Sequence, residues 1–152
     1  MKKLMMTLCA VGLMFAGCNK RSGEDNPLLQ KWDTPFETAP FEKIKVEHYL
    51  PAFEAAIAEH DKEIQAIIDN AEAPTFDNTI AALDYSGETL SKVAGVFFNM
   101  MAANTSEELQ KVNEKVGPMM ATHSDNVSMN AKLFEKIKAV YDAKDSQKYT
   151  GE

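Results

Sequence analysis

Cysteine and histidine are scarce in this sequence, and their scarcity removes whole classes of chemistry. Only Cys9 and Cys18 occur, both near the start of a 152-residue chain. The three histidines, His48, His60 and His123, are nowhere four apart, so the H-E-x-x-H signature of zinc proteases is absent. Glycine-rich phosphate loops are missing too. Ser86, Ser91, Ser106, Ser124, Ser128 and Ser146 all lack a G-x-S-x-G context. No segment alternates apolar and polar residues as a half-buried strand does. Basic residues are the minority charge, 16 Lys+Arg against 23 Asp+Glu, a net charge of −7. Setting aside residues 1 to 17, with two lysines and no acids, makes it −9. Such a chain lacks the cationic surface that phosphate neutralisation requires, which excludes nucleic acid as a partner. The basic pair Lys20-Arg21 is too small to change this.

What is present reads as one globular domain, with 45% hydrophobic and 26% charged residues. The opening "MKKLMMTLCAVGLMFAGC" stands apart. Lys2 and Lys3 precede an apolar run from Leu4 to Phe15, too short to span a bilayer, and Ala16 and Gly17 lead into Cys18. This resembles a bacterial lipoprotein signal, although Phe15 stands where such signals usually have Leu. The resemblance implies a leader over residues 1–17, lipidation of Cys18, and a place in the bacterial cell envelope, on the periplasmic or outer-membrane side. The alternative is an ordinary secretory leader that leaves Cys18 as a free thiol. Either way the exported chain would be stable without disulfides.

Residues 18–25 read as a flexible tether and 26–46 as an extended arm rich in proline and aromatics. Leu28, Leu29, Trp32 and Phe36 in that arm are expected to pack onto the body, the alternative being an exposed docking patch. Residues 47–152 read as helical. A first helix opens between Glu47 and Pro51 and carries Leu50, Phe53, Ile57, Ile64 and Ile67, stopping near Asn70 and Pro74. Thr75 caps a second, longer helix. Its stripe is Phe76, Ile80, Leu83, Gly87, Leu90, Ala94, Phe97 and Met101, with Gly87 letting another helix approach. Thr105 and Glu108 have capping-box spacing ahead of a third helix bearing Leu109, Val112 and Val116, which Gly117-Pro118 should kink or end. Asn130 caps a fourth, with Leu133, Phe134, Ile137, Val140 and Tyr141. The expected class is all-α, about four antiparallel helices.

The histidines are poorly placed for a shared metal. On one helix, His48 and His60 stand about 18 Å apart along the axis and roughly 120° around it. One zinc needs each ligand nitrogen at about 2 Å and cannot take both. His60 reads as a half-buried helix residue and His48 as part of the helix entrance. His123 with Asp125 is a two-ligand fragment without a third. Met100-Met101 and Met119-Met120 read as core filler.

Three stretches go beyond generic helices: "FEKIKVEHYLPAFEAAI", "APTFDNTIAALDYSGETLSKVAGVFFNMMAANT" and "HSDNVSMNAKLFEKIKAVYD". Together they resemble the N-terminal region of bacterial dipeptidyl carboxypeptidases, in the thimet-oligopeptidase family of zinc metallopeptidases. The resemblance implies an almost wholly helical enzyme with a deep channel. These helices would build one wall of that channel, and short peptides would lose C-terminal dipeptides within it. It also implies that the zinc ligands and the general-base glutamate lie far beyond this sequence. No catalytic, cofactor-binding or metal-binding residue carries over, so the chain is expected to bind no zinc and to be inactive alone. Its end at "KDSQKYTGE" then reads as a truncation. The competing reading is a small helical lipoprotein that acts as an interaction module.

Overall fold

The computed structural model describes residues 25–146, so the expected leader and Cys18 lie outside the described residues. The described chain is all-α, with no strand among these residues. Its elements are α1 (Val46–Asp69), α2 (Ala82–Tyr85) preceded by a π-helical turn (Phe76–Ala81), α3 (Glu88–Ala103), α4 (Glu107–Ser128) and α5 (Ala131–Asp142). Short 3-10 turns lie at Pro35–Glu37 and Lys144–Ser146. Among the described residues no helix is long and apolar enough to cross a membrane.

Helix α1 is the centre of the fold and packs against α3, α4 and α5. Tyr49 meets Phe97 near one end of α1, and His60 meets Ser86 further along, so α3 runs antiparallel to it. Ile57 shares a groove with Met119, and Asp61 with His123, so α4 runs in the same sense as α1. Two apolar clusters lie along this axis. The first joins Leu28, Tyr49, Ala52, Phe53 and Ala56 to Leu90, Val93, Val96 and Phe97 of α3 and to Leu109 and Val116 of α4. The second joins Ile64, Ile67 and Ile68 to Leu133 of α5, with Leu83, Val127 and Ile137 packed against it.

The arm is tied down by polar groups that place its apolar ones. Asn26 donates from Nδ2 to the His48 carbonyl at 2.8 Å and accepts from the Leu28 amide at 3.0 Å. That turn drives Leu28 into the first cluster, fully buried. Trp32 donates to the Pro27 carbonyl at 2.8 Å and lies under the Lys92 ammonium. Phe36 departs from the expectation that the arm packs its aromatics inward. It is 98% exposed, because Phe36 and Glu37 both take left-handed backbone angles after Pro35 and turn the ring outward.

Helix ends follow local chemistry. Thr75 caps as expected, its hydroxyl accepting from the Asn78 amide at 3.1 Å while Asn78 Oδ1 accepts from the Thr75 amide at 2.7 Å. Asn130 likewise caps α5 through the Leu133 amide, at 3.1 Å. Three expectations are corrected. The second helix is not continuous: Ser86 is extended and Gly87 sits at φ +74, which ends α2 and starts α3. The cap of α4 is Ser106, which accepts from the Leu109 amide at 3.2 Å, while the Thr105 hydroxyl turns back to Met101. Gly117-Pro118 does not end α4, which continues to Ser128. Pro118 forgoes one backbone bond, but Val116 and His123 on either side are buried, and that packing holds the helix through.

Candidate functional site

The most unusual polar feature lies where the two apolar clusters meet. On α1, Ala56 belongs to the first cluster and Ile64 to the second, and His60 is midway, four residues from each. On α4, Val116 belongs to the first and Val127 packs on the second, with His123 between. Helical periodicity therefore aims both imidazoles at the same junction. His123 Nε2 lies 2.9 Å from His60 Nδ1, a hydrogen bond between residues 63 apart in sequence, and the rings meet edge to face.

Each ring has a second contact. His60 Nε2 is 3.1 Å from Ser86 Oγ, whose own proton goes to the Leu83 carbonyl at 2.7 Å. His123 Nδ1 has Asp61 Oδ1 at 3.0 Å, but the carboxylate is off the ring N–H direction, so this is a close approach rather than an aligned hydrogen bond. Beside the pair, Glu63 accepts from the Gly87 amide at 2.7 Å. A Cβ on Gly87 would lie 3.0 Å from His60 Cε1 and Nδ1, so this glycine serves both the turn and the close approach of the ring.

His123 is buried and His60 half-buried. Burial lowers the His60 pKa from the ordinary 6.5, and neighbouring His123 lowers it further, while Glu63 and Asp61 pull the other way. The arrangement does not converge on a metal. Asp61 and His60 meet opposite nitrogens of the His123 ring, so one ion cannot touch all three groups. Among the described residues, no group of three or more His, Cys, Asp or Glu could hold a metal.

His48 lies apart from this pair, at the opening of α1, where its Nδ1 accepts from the Lys45 amide at 3.0 Å. Asp125 does not join His123; its carbonyl serves the C-terminal end of α4. The pairing of His60 with His123 and the part played by Ser86 escaped sequence reasoning. The available signal was that both histidines interrupt an apolar stripe at helical spacing.

The helices and their short connections define an all-helical protein, and similarity of sequence makes it a peptidase relative. Dipeptidyl carboxypeptidase of Salmonella typhimurium is 40% identical over 121 residues, which is 80% of this chain and 18% of that protein. The Escherichia coli dipeptidyl carboxypeptidase is 38% identical over the same shares. Oligopeptidase A of Escherichia coli is 27% identical over 124 residues, 82% of this chain and 17% of the relative. No family model matches the chain. The chain belongs to the peptidase family of these enzymes, that of thimet oligopeptidase, and spans under a fifth of the length of the relatives it matches.

Proposed function

We propose that this chain is a wall-forming segment of a zinc-dependent peptidyl-dipeptidase that releases C-terminal dipeptides from short peptides, and that the segment alone is inactive. The observation that carries this reading is the 40% identity to a dipeptidyl carboxypeptidase over 80% of the chain. Zinc in such an enzyme would be held by residues outside this sequence, because the donors here diverge. What these residues contribute is shape: a rigid helical body with large side chains such as Phe134, Tyr141 and Met129 still facing outward, available to further polypeptide.

A chimera tests the role. Residues 26–141 replace the matching segment of the Salmonella typhimurium enzyme, and dipeptide release from a blocked short peptide is followed with and without a chelator. Retained, chelator-sensitive release is the expected result; a folded chimera without activity would overturn the proposal. The purified 152-residue chain, supplied with zinc, is expected to release no dipeptide above buffer, and measurable release would refute its inactivity.

The lipid anchor is a separate proposal, supported by the small-small-Cys ending of the opening stretch. Expressed in a bacterial host, the chain is expected in the membrane fraction, and Cys18→Ser is expected to move it to the soluble fraction. Equal partitioning of the two forms would remove the anchor.

A further inference from the structure

We propose that His60 and His123 form a proton-operated latch between α1 and α4, closed while one hydrogen bridges the two rings and opened when both become imidazolium. The two rings present four nitrogens, and the number of hydrogens on them sets the state of the bridge. Ser86 gives its proton to the Leu83 carbonyl, so a hydrogen on His60 Nε2 must make the 3.1 Å bond to Ser86 Oγ. A second hydrogen lies between His60 Nδ1 and His123 Nε2, 2.9 Å apart. The remaining position for a third hydrogen is His123 Nδ1, which faces Asp61 at 3.0 Å. With two hydrogens the pair is neutral, with three it carries one charge, and the bridge survives in both states. A fourth hydrogen sets N–H against N–H across 2.9 Å, and the bond is lost.

The surroundings offset that second charge only in part. From α1 the pair is faced by Asp61 and Glu63, and from α4 by His123 itself. The junction of α2 and α3 offers only the Ser86 hydroxyl and the Gly87 amide. Glu63 is committed to that amide, and Asp61 is 57% exposed, so water weakens its field. Two imidazolium rings would then repel with centroids 4.9 Å apart in a partly dry site. Burial already holds the His60 pKa below 6.5, in the same direction. Because the folded value is lowered, the unfolded chain binds more protons below about pH 6.5. Stability is therefore fully present above that value and falls as pH drops toward the folded pKa. A groove lined by Asp61, Thr122, His123 and Asn126 gives solvent a route to the pair. Opening would part α1 from α4 where the two clusters meet, which makes the latch a hinge point.

The test uses the full 152-residue chain labelled with 15N. Above pH 7, NMR is expected to show a scalar coupling between His60 Nδ1 and His123 Nε2 across the hydrogen bond, lost on acidification below 6.5. The unfolding constant in urea is expected to rise below pH 6.5, by at most about tenfold per pH unit for one proton. In His123→Gln the amide can still donate to His60 but adds no second charge, so this variant is expected to show a shallower rise, with the part due to burial of His60 remaining. Independent titration of the two rings without coupling would overturn the latch. So would a His123→Gln protein that folds and keeps the wild-type pH slope. If the variant does not fold, the wild-type coupling measurement decides alone.

Discussion

Phe97→Ala is expected to destabilise the 152-residue chain by about 3–5 kcal/mol, the range for emptying a buried aromatic site. Phe97 is fully buried on α3 and meets three rings edge to face. Its centroid lies 5.0 Å from Tyr49, 5.4 Å from Phe53 and 5.3 Å from Phe98. Such pairs contribute roughly 0.5–1.5 kcal/mol each beyond burial of area. Tyr49 and Phe53 both lie on α1, so this ring fastens the two most intimately packed helices together. Their helical backbones cannot collapse into the void without moving Val93 and Ala52, which are themselves fully buried. Phe98, next in sequence and 45% exposed, is the control: Phe98→Ala is expected to cost less than half as much. Urea unfolding followed by far-UV circular dichroism measures both. Equal losses for the two variants would show that the ring cluster is not organised around Phe97.

Gly87→Ala has the second largest expected effect, about 2–4 kcal/mol, from two causes that add. A left-handed backbone costs a residue with a Cβ roughly 1–2 kcal/mol, and Gly87 sits at φ +74. The new methyl would also meet the His60 ring at 3.0 Å, where the ring is held between Ser86 and His123 and has no easy retreat. Gly95→Ala supplies the opposite sign. Gly95 lies inside α3, and a Cβ there meets nothing within 4 Å, so alanine is expected to stabilise by about 0.5–1 kcal/mol. Comparing the two in the same urea titration separates backbone strain from ordinary helix propensity. A Gly87→Ala protein as stable as wild type would mean that the turn readily relaxes.

The fold was largely legible because its signals are local. Asn130 and Thr75 announce helix starts through their own side chains, and the apolar stripes of α1 and α3 repeat at helical spacing. Misreadings arose where a longer-range contact decides. Gly87 fits a continuous stripe by count, yet the chain breaks there, with Gly87 left-handed and the His60 ring of another helix packed against it. Ala52 and Ala56 are among the most buried residues of α1, while the bulkier Leu50 and Ile57 are pushed to its flank, because small side chains let a neighbouring helix come close. Gly117-Pro118 reads as a kink or a stop, but buried neighbours on both sides carry the helix past it. The histidine pair was illegible for a plain reason. No spacing rule links residues 63 apart, and only the parallel course of α1 and α4 brings the rings together.

The fastening of Asn26 and Leu28 to the start of α1 also fixes a length of leash. With lipid on Cys18 as proposed, eight backbone steps lead from the greasy end to the first pinned side chain, Asn26. Covalent geometry allows these no more than about 28 Å. The helical body would then stay within a few nanometres of the bilayer, and under the proposed function the channel would meet its peptides in that thin layer of water.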